Sequence, residues 1–257
     1  MAIPKQHPTT IHDGTAPGVK FRIEGELTPV LHLALDGSTN VFFEHHVILW
    51  KQPAIDVQLM KLKGAFSRVL SGMPIFMTEA TGQGEIAFSR DNPGQLFPIT
   101  LKPNESIIVR EHQFVAATST GSYDYGRVKG VTSMLFGNQG FFVDRFTAGP
   151  EGMVIWLYAH GNAYDIELAA GETIDVEPGS WIYQEQSVSY SQEFFGLKTG
   201  LLGGGGNLVF NRFVGPGRVG LQSGYITSEG LNGSSGAGGK IAAAGLMGGL
   251  LGGLMDN

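Results

Sequence analysis

One phrase is written three times along this chain: LALDGSTNVFFEHHVILW at 33–50, ITLKPNESIIVREHQFVA at 99–116 and IELAAGETIDVEPGSWIY at 166–183. A pattern repeated at a spacing of about 66 residues restricts the chain to folds that can set equivalent units side by side, and the period is too long for one rung of a solenoid. Leu35, Leu101 and Leu168 share a column. They are followed by alternating apolar pairs: Val41 and Phe43, Ile107 and Val109, Ile174 and Val176. Period two is the signature of a strand. The residues between, DGST, KPNE and AAGE, are turn formers, because Asn and Asp bond their own backbone and Gly tolerates positive φ. A second break at EHH, REH and EPG precedes a third apolar run, VILW, FVAA or WIYQ. Each copy therefore reads as a meander of three short strands.

Between the copies a second phrase recurs, TGQGEIAF (81–88), AGPEGMVIWL (148–157) and VGPGRVGL (214–221), with glycines ahead of an apolar alternation. Helical periodicity is nearly absent before residue 235. Short strands with Gly and Pro turns and long-range repetition indicate an all-β fold, a β-sandwich or double-stranded β-helix built from duplicated units. The hydrophobic fraction of 42% is enough for a substantial core, and the 39 glycines imply many turns. At 257 residues the chain fits one large β domain or two small ones.

Charge and cysteine content narrow the partners. Seventeen Lys and Arg against 23 Asp and Glu give a net charge of −6, which argues against nucleic acid as a partner, since such surfaces are normally basic. KLKGAFSR (61–68) is the one basic run and reads as a solvated stretch between strands. With no cysteine there is no disulfide, thiolate metal site or cysteine nucleophile. The opening MAIPKQHPTTIHDG has neither the apolar core of a signal peptide nor the Arg-rich character of a transit peptide. A cytoplasmic protein, peripheral to a membrane if associated with one, is the expectation.

PGQLFPITLKPNESIIVREHQFVAA (93–117), EGMVIWLYAHGNAYDIELAAGETIDVEPGSWIYQ (151–184) and NRFVGPGRVGLQS (211–223) resemble the mitochondrial-biogenesis family named for altered inheritance of mitochondria. The resemblance spans roughly residues 20–225. It implies a fold like that of the tryptophan RNA-binding attenuation protein, with double-stranded β-helix sandwiches packed as about three pseudo-repeats. Its mitochondrial members are linked to inner-membrane organisation. The resemblance brings no enzymatic activity and no catalytic residue.

Several chemistries can be weighed residue by residue. A cupin-like metal site needs converging imidazoles and a carboxylate, and Glu44, His45, His46 and His112 are the candidates. His45 and His46 are adjacent at a turn, so their side chains diverge, and the third copy carries Gly179 in the column of His46 and His112. No metal or other cofactor is expected. Nucleophilic hydrolysis lacks a G-x-S-x-G elbow. The run GLLGGGGN (200–207) ends in Asn207 rather than Lys-Ser and leads into a strand, so it reads as a loop and not a phosphate cradle. Tyr123, Tyr125, Tyr158, Tyr183 and Tyr190 could stack on RNA bases, yet they lack interleaved cations and read as core and interface residues.

The C-terminus changes composition. GSSGAGGKIAAAGLMGGLLGGLMDN is a Gly/Ser linker followed by an apolar run, Ile241–Met255. Gly245, Gly249 and Gly253 recur every fourth residue beside Leu246, Leu250 and Leu254, a smooth stripe that permits close helix packing. Fifteen residues of helix at about 1.5 Å each reach roughly 23 Å, short of the ~30 Å hydrocarbon core. Three readings stay open: a disordered tail, packing on the oligomer or a partner helix, and a segment dipping into a membrane.

The sequence is thus divided into a polar arm (1–20), an all-β body (21–230) and a linker with apolar tail (231–257). The function expected is that of a non-catalytic homo-oligomeric scaffold or adaptor, a trimer, that binds a protein partner or a membrane surface. The alternatives are an RNA- or small-ligand-binding ring and a cupin-like metal-dependent enzyme.

Overall fold

A computed structural model describes residues 5–7, 12–44, 46–60, 77–128, 141–194 and 209–224. KLKGAFSR, the glycine run at 200–207 and the whole tail, with Gly245, Leu246, Gly249, Leu250, Gly253 and Leu254, lie outside the described residues. The described chain is all-β, with one short 3-10 turn at Pro178–Ser180 and no α-helix. Residues 1–225 make one compact unit.

Three strands lead in: β1 (Lys5–Gln6), β2 (His12–Ala16) and β3 (Val19–Glu24). The first copy of the phrase gives β4 (Val30–Asp36), β5 (Val41–Glu44) and β6 (Ile48–Lys51), followed by β7 (Asp56–Leu59), β8 (Met77–Thr81) and β9 (Gln83–Phe88). The second gives β10 (Gly94–Leu101), β11 (Ser106–Arg110) and β12 (Phe114–Thr118), then β13 (Gly121–Val128), β14 (Phe141–Ala148) and β15 (Met153–His160). The third gives β16 (Ala163–Leu168), β17 (Thr173–Val176) and β18 (Trp181–Glu185), then β19 (Ser189–Phe194), β20 (Val209–Val214) and β21 (Gly217–Gln222).

The meander expectation is corrected by the pairing. Consecutive strands within each copy do not pair with one another. The first and third flank a later strand instead, in the orders β4-β9-β6, β10-β15-β12 and β16-β21-β18. That later strand carries the second recurring phrase. The middle strands pair across the molecule in the orders β5-β8-β7, β11-β14-β13 and β17-β20-β19. The turn chemistry was legible, since Gly37, Asn104 and Gly171 hold φ of 89°, 67° and 76°. These turns carry the chain from one sheet to another, and local turn signals cannot distinguish such a crossing from a hairpin. Glu105 and Glu172, in one column, close their turns by accepting from the backbone N–H of Lys102 (2.8 Å) and Ala169 (3.0 Å).

Two seams join the triplets: β12 pairs with β5, and β18 with β11. Among the described residues the result is four sheets: a first of β2-β3-β4-β9-β6, a second of β10-β15-β12-β5-β8-β7, a third of β1-β16-β21-β18-β11-β14-β13 and a fourth of β17-β20-β19. They share three cores in series. Leu33, Phe43, Phe88 and Trp156 fill the space between first and second. Phe42, Phe114, Phe146 and Ile155 fill that between second and third, and Val176, Trp181, Phe213 and Val219 that between third and fourth. Trp156 and Ile155 are neighbours in β15 that point to opposite cores, so strand alternation here separates two interiors rather than inside from outside.

Residues ahead of Lys20 also enter the sheets. His12–Ala16 pairs with Val19–Ile23, and Lys5–Gln6 pairs with Tyr164–Asp165. Both segments are too polar to announce themselves as strands, and the backbone bonds that hold them leave no mark in composition.

Candidate functional site

Ionisable side chains gather where the second sheet meets the third. Glu44 ends β5, and Arg90 follows β9 and reaches it with Nη2, while the same nitrogen donates to the carbonyl of Phe114 at 2.6 Å. His112 Nδ1 lies 3.6 Å from Glu44, and its Nε2 lies 3.8 Å from Glu111. Beneath them Asp144 of β14 is buried and accepts a 2.7 Å bond from the Tyr123 hydroxyl.

The environment separates these carboxyls. Burial pushes Asp144 up to about 7, with the Glu44 and Glu111 charges adding to it and Tyr123 opposing. Burial also raises Glu111. Burial would raise Glu44 too, yet His112 and Arg90 together hold it below its ordinary value. The bond to Glu44 raises His112 in turn. Such a set can hold a proton near neutral pH on a buried carboxyl.

A counterpart lies at the other seam. Arg110 occupies the column of Glu44, is buried, and donates to the Gly179 carbonyl at 2.8 Å. Burial lowers its pKa while Glu177 and Glu111 act against that. Gly179 stands in the column of His112. At both seams, then, the residue ending a middle strand contacts the residue two places on in the following copy.

Of the metal candidates, His45 lies outside the described residues, His46 is exposed, and Glu44 pairs with His112. Among the described residues no group of three or more His, Asp or Glu is placed to hold a metal. Tyr158 and Tyr183 are fully buried, Tyr123 packs on Phe42 and Phe146, and Tyr190 packs on Trp181 and Phe213. They are core residues. An open groove of about 650 Å³ crosses the outer face of the first sheet, lined by Lys20, Arg22, Glu24, His32, Trp50 and Glu85. Its charges alternate in sign and pair locally, Arg22 with Glu24 at 2.9 Å and His32 with Glu24 at 3.3 Å. No helix among the described residues is long and apolar enough to cross a membrane.

Sequence reasoning missed Arg90, Asp144 and Tyr123 as members of the cluster. All three fall outside the thrice-written phrase. The signal available was an Asp set among apolar residues in FFVDRF (141–146).

The fold resembles that of a Streptococcus pyogenes protein solved by X-ray crystallography, at 19% identity and a TM-score of 0.64, over 80% of this chain and 94% of that one. No curated protein matches the chain. The profile of the family described as mitochondrial biogenesis AIM24 matches residues 21–224. This chain therefore belongs to the AIM24 mitochondrial biogenesis family.

Proposed function

We propose that the chain is a non-catalytic, homo-oligomeric scaffold or adaptor. Its body is three copies of one double-stranded β-helix unit in the manner of the attenuation protein, and its apolar tails gather at a membrane or a protein partner. One observation carries this reading: the ionisable residues of the candidate site are engaged in holding sheets together at the seams, Glu44 with Arg90 and His112, and Arg110 with Gly179. Charged groups engaged with one another and with backbone carbonyls across a seam fix sheet geometry, and that engagement supports a structural task for them. A trimer presenting three tails would bind an apolar surface far more tightly than one chain, because each later contact forms at high local concentration.

The test uses the full-length protein beside a Leu246→Asp/Leu250→Asp/Leu254→Asp variant. Light scattering gives the native mass and flotation with liposomes gives membrane binding. The expected outcome is a mass that is a multiple of 27.4 kDa for both, with flotation only of the unaltered chain. A single-chain mass overturns the oligomeric reading. Equal flotation of both overturns the role of the tail.

A further inference from the structure

The three copies contain three equivalent third strands and three equivalent middle strands, yet the described chain joins them only twice. β12 pairs with β5 through Ala116↔Phe43, Ala117↔Phe42 and Thr118↔Val41. β18 pairs with β11 through Tyr183↔Val109, Gln184↔Ile108 and Glu185↔Ile107. In repeat columns these two registers are identical. The third strands themselves match to the residue, since each meets its flanking strand with one irregularity in the same place: between Ile48 and Trp50, between Phe114 and Ala116, and between Trp181 and Tyr183.

One strand of each kind is left over. Among the described residues β6 pairs only with β9, and β17 only with β20. They lie in the first and last sheets, which share no core. Of the exposed large apolar side chains among the described residues, Ile48, Leu49 and Trp50 stand together on the surplus strand β6, while Leu27 and Leu59 lie elsewhere. Leu49 is 57% exposed and Trp50 40%, whereas the residues in their columns, Val115, Ala116, Ile182 and Tyr183, are all at 0%. An exposed apolar edge strand is a template for another strand, and a contiguous exposed apolar patch marks an interaction surface.

We infer that β6 of one copy pairs with β17 of a second copy, forming between chains the seam already formed twice within each. Carrying the common register over gives Trp50↔Val176, Lys51↔Asp175 and Gln52↔Ile174. The chemistry fits at each position. Trp50 against Val176 matches the apolar pairs Ala116–Phe43 and Tyr183–Val109. Lys51 meets a carboxylate, and Asp175, held on its other side by Arg212 at 2.7 Å, becomes flanked by two cations. Glu177 then meets His46 of the second copy, a third instance of the contact that Glu44 makes with His112. Two different edges meet, so the interface is head-to-tail, and it closes into a ring when the rotation between copies permits. This inference deepens the oligomeric reading by naming the surface that assembles, and it stands or falls separately from the role of the tail.

The absence of cysteine from the sequence makes the test clean. Full-length Trp50→Cys and Val176→Cys variants are co-expressed and oxidised, since directly opposed strand residues lie close enough for a disulfide. The expected result is a covalent two-chain product in the mixture, absent from either variant alone and from a Leu59→Cys plus Val176→Cys mixture. A Trp50→Glu variant, which sets a carboxylate against the apolar Val176 and removes the indole from the seam, is expected to drop to the single-chain mass of 27.4 kDa. A disulfide within one chain of the Trp50→Cys/Val176→Cys double variant, with no gain in mass, overturns the inference in favour of self-closure. An oligomeric mass with no cross-link and no response to Trp50→Glu overturns this seam alone. A single-chain mass for the unaltered protein removes the seam and the oligomeric reading together.

Discussion

At the scale of single residues, Asp144 sets the most direct expectation. Its folded-state pKa of about 7 lies above the 3.8 it has when free, so the folded state holds a proton that the unfolded state has released. Stability from this group is full below about pH 4 and is lost as pH rises toward and through 7, by about 4 kcal/mol at most at 1.36 kcal/mol per pH unit. Asp144→Asn keeps an acceptor for Tyr123 and removes the titration. We expect urea midpoints of this variant to fall less between pH 5 and 8 than those of the unaltered protein. His112, raised by Glu44, works in the same direction: its contribution is present below its ordinary value and is lost as pH rises through the raised one. Glu44 works in the opposite direction, because its carboxyl is held low and its contribution is lost only in acid. A residual slope that vanishes in His112→Gln assigns the remainder to His112. A slope unchanged in both variants places the titration elsewhere. The sequence singled out Glu44, and His112 through the column it shares with His46, but only as candidates for a metal site that was not expected. It passed over Asp144 because period two assigns one strand face to solvent, and here both faces of the third sheet meet other sheets.

At the scale of elements, the third strands and their flanking strands share volume rather than residue type. Trp50 faces Ala87, Ala116 faces Trp156, and Tyr183 faces Gly220. One partner is large and the other small in every case, which fills the same space in three ways. Gly220 is glycine because a Cβ there would sit 2.1 Å from Cε1 of Tyr183. Gly220→Ala is expected to lower stability by about 1–3 kcal/mol, the usual cost of overpacking, read from the urea midpoint. Gly126→Ala, where the nearest atom is Val143 Cγ2 at 3.8 Å, should change it little. Equal costs at both sites would remove the packing account of Gly220. The strands themselves were legible: Leu35, Leu101 and Leu168, with the apolar pairs after them, all lie in strands where the alternation placed them. Their partners were not legible, since turns such as DGST and KPNE announce a reversal of direction and say nothing about which sheet receives the next strand. The recurring glycine phrases at 81–88, 148–157 and 214–221 hold that information, because they contain the strands that enter between the first and third of each copy.

At the scale of the molecule, a series of sheets with cores between them is not uniformly protected. β15 is buried on both faces, with Trp156 in one core and Ile155 and Leu157 in the next, and it is bonded on both edges, to β10 and β12. Among the described residues the fourth sheet has three strands and rests on the smallest of the three cores, through Val176, Phe213 and Tyr190. Local opening is cheapest where few apolar contacts are lost. Amide hydrogen exchange should therefore be slowest in β15, reporting only global unfolding, and faster in β17 and β19. The seam inferred above adds a second signature. Pairing with a second copy would cover the free edge of β17 and that of β6, and would leave β19 and β7 untouched, so protection in β17 and β6 should rise with protein concentration while the other two stay constant. Uniform concentration dependence across all four strands would mean that assembly stabilises the fold as a whole without using these edges. Protection in β19 equal to that in β15 would mean that the fourth sheet opens only with the rest, and the one-sided core would no longer explain the dynamics.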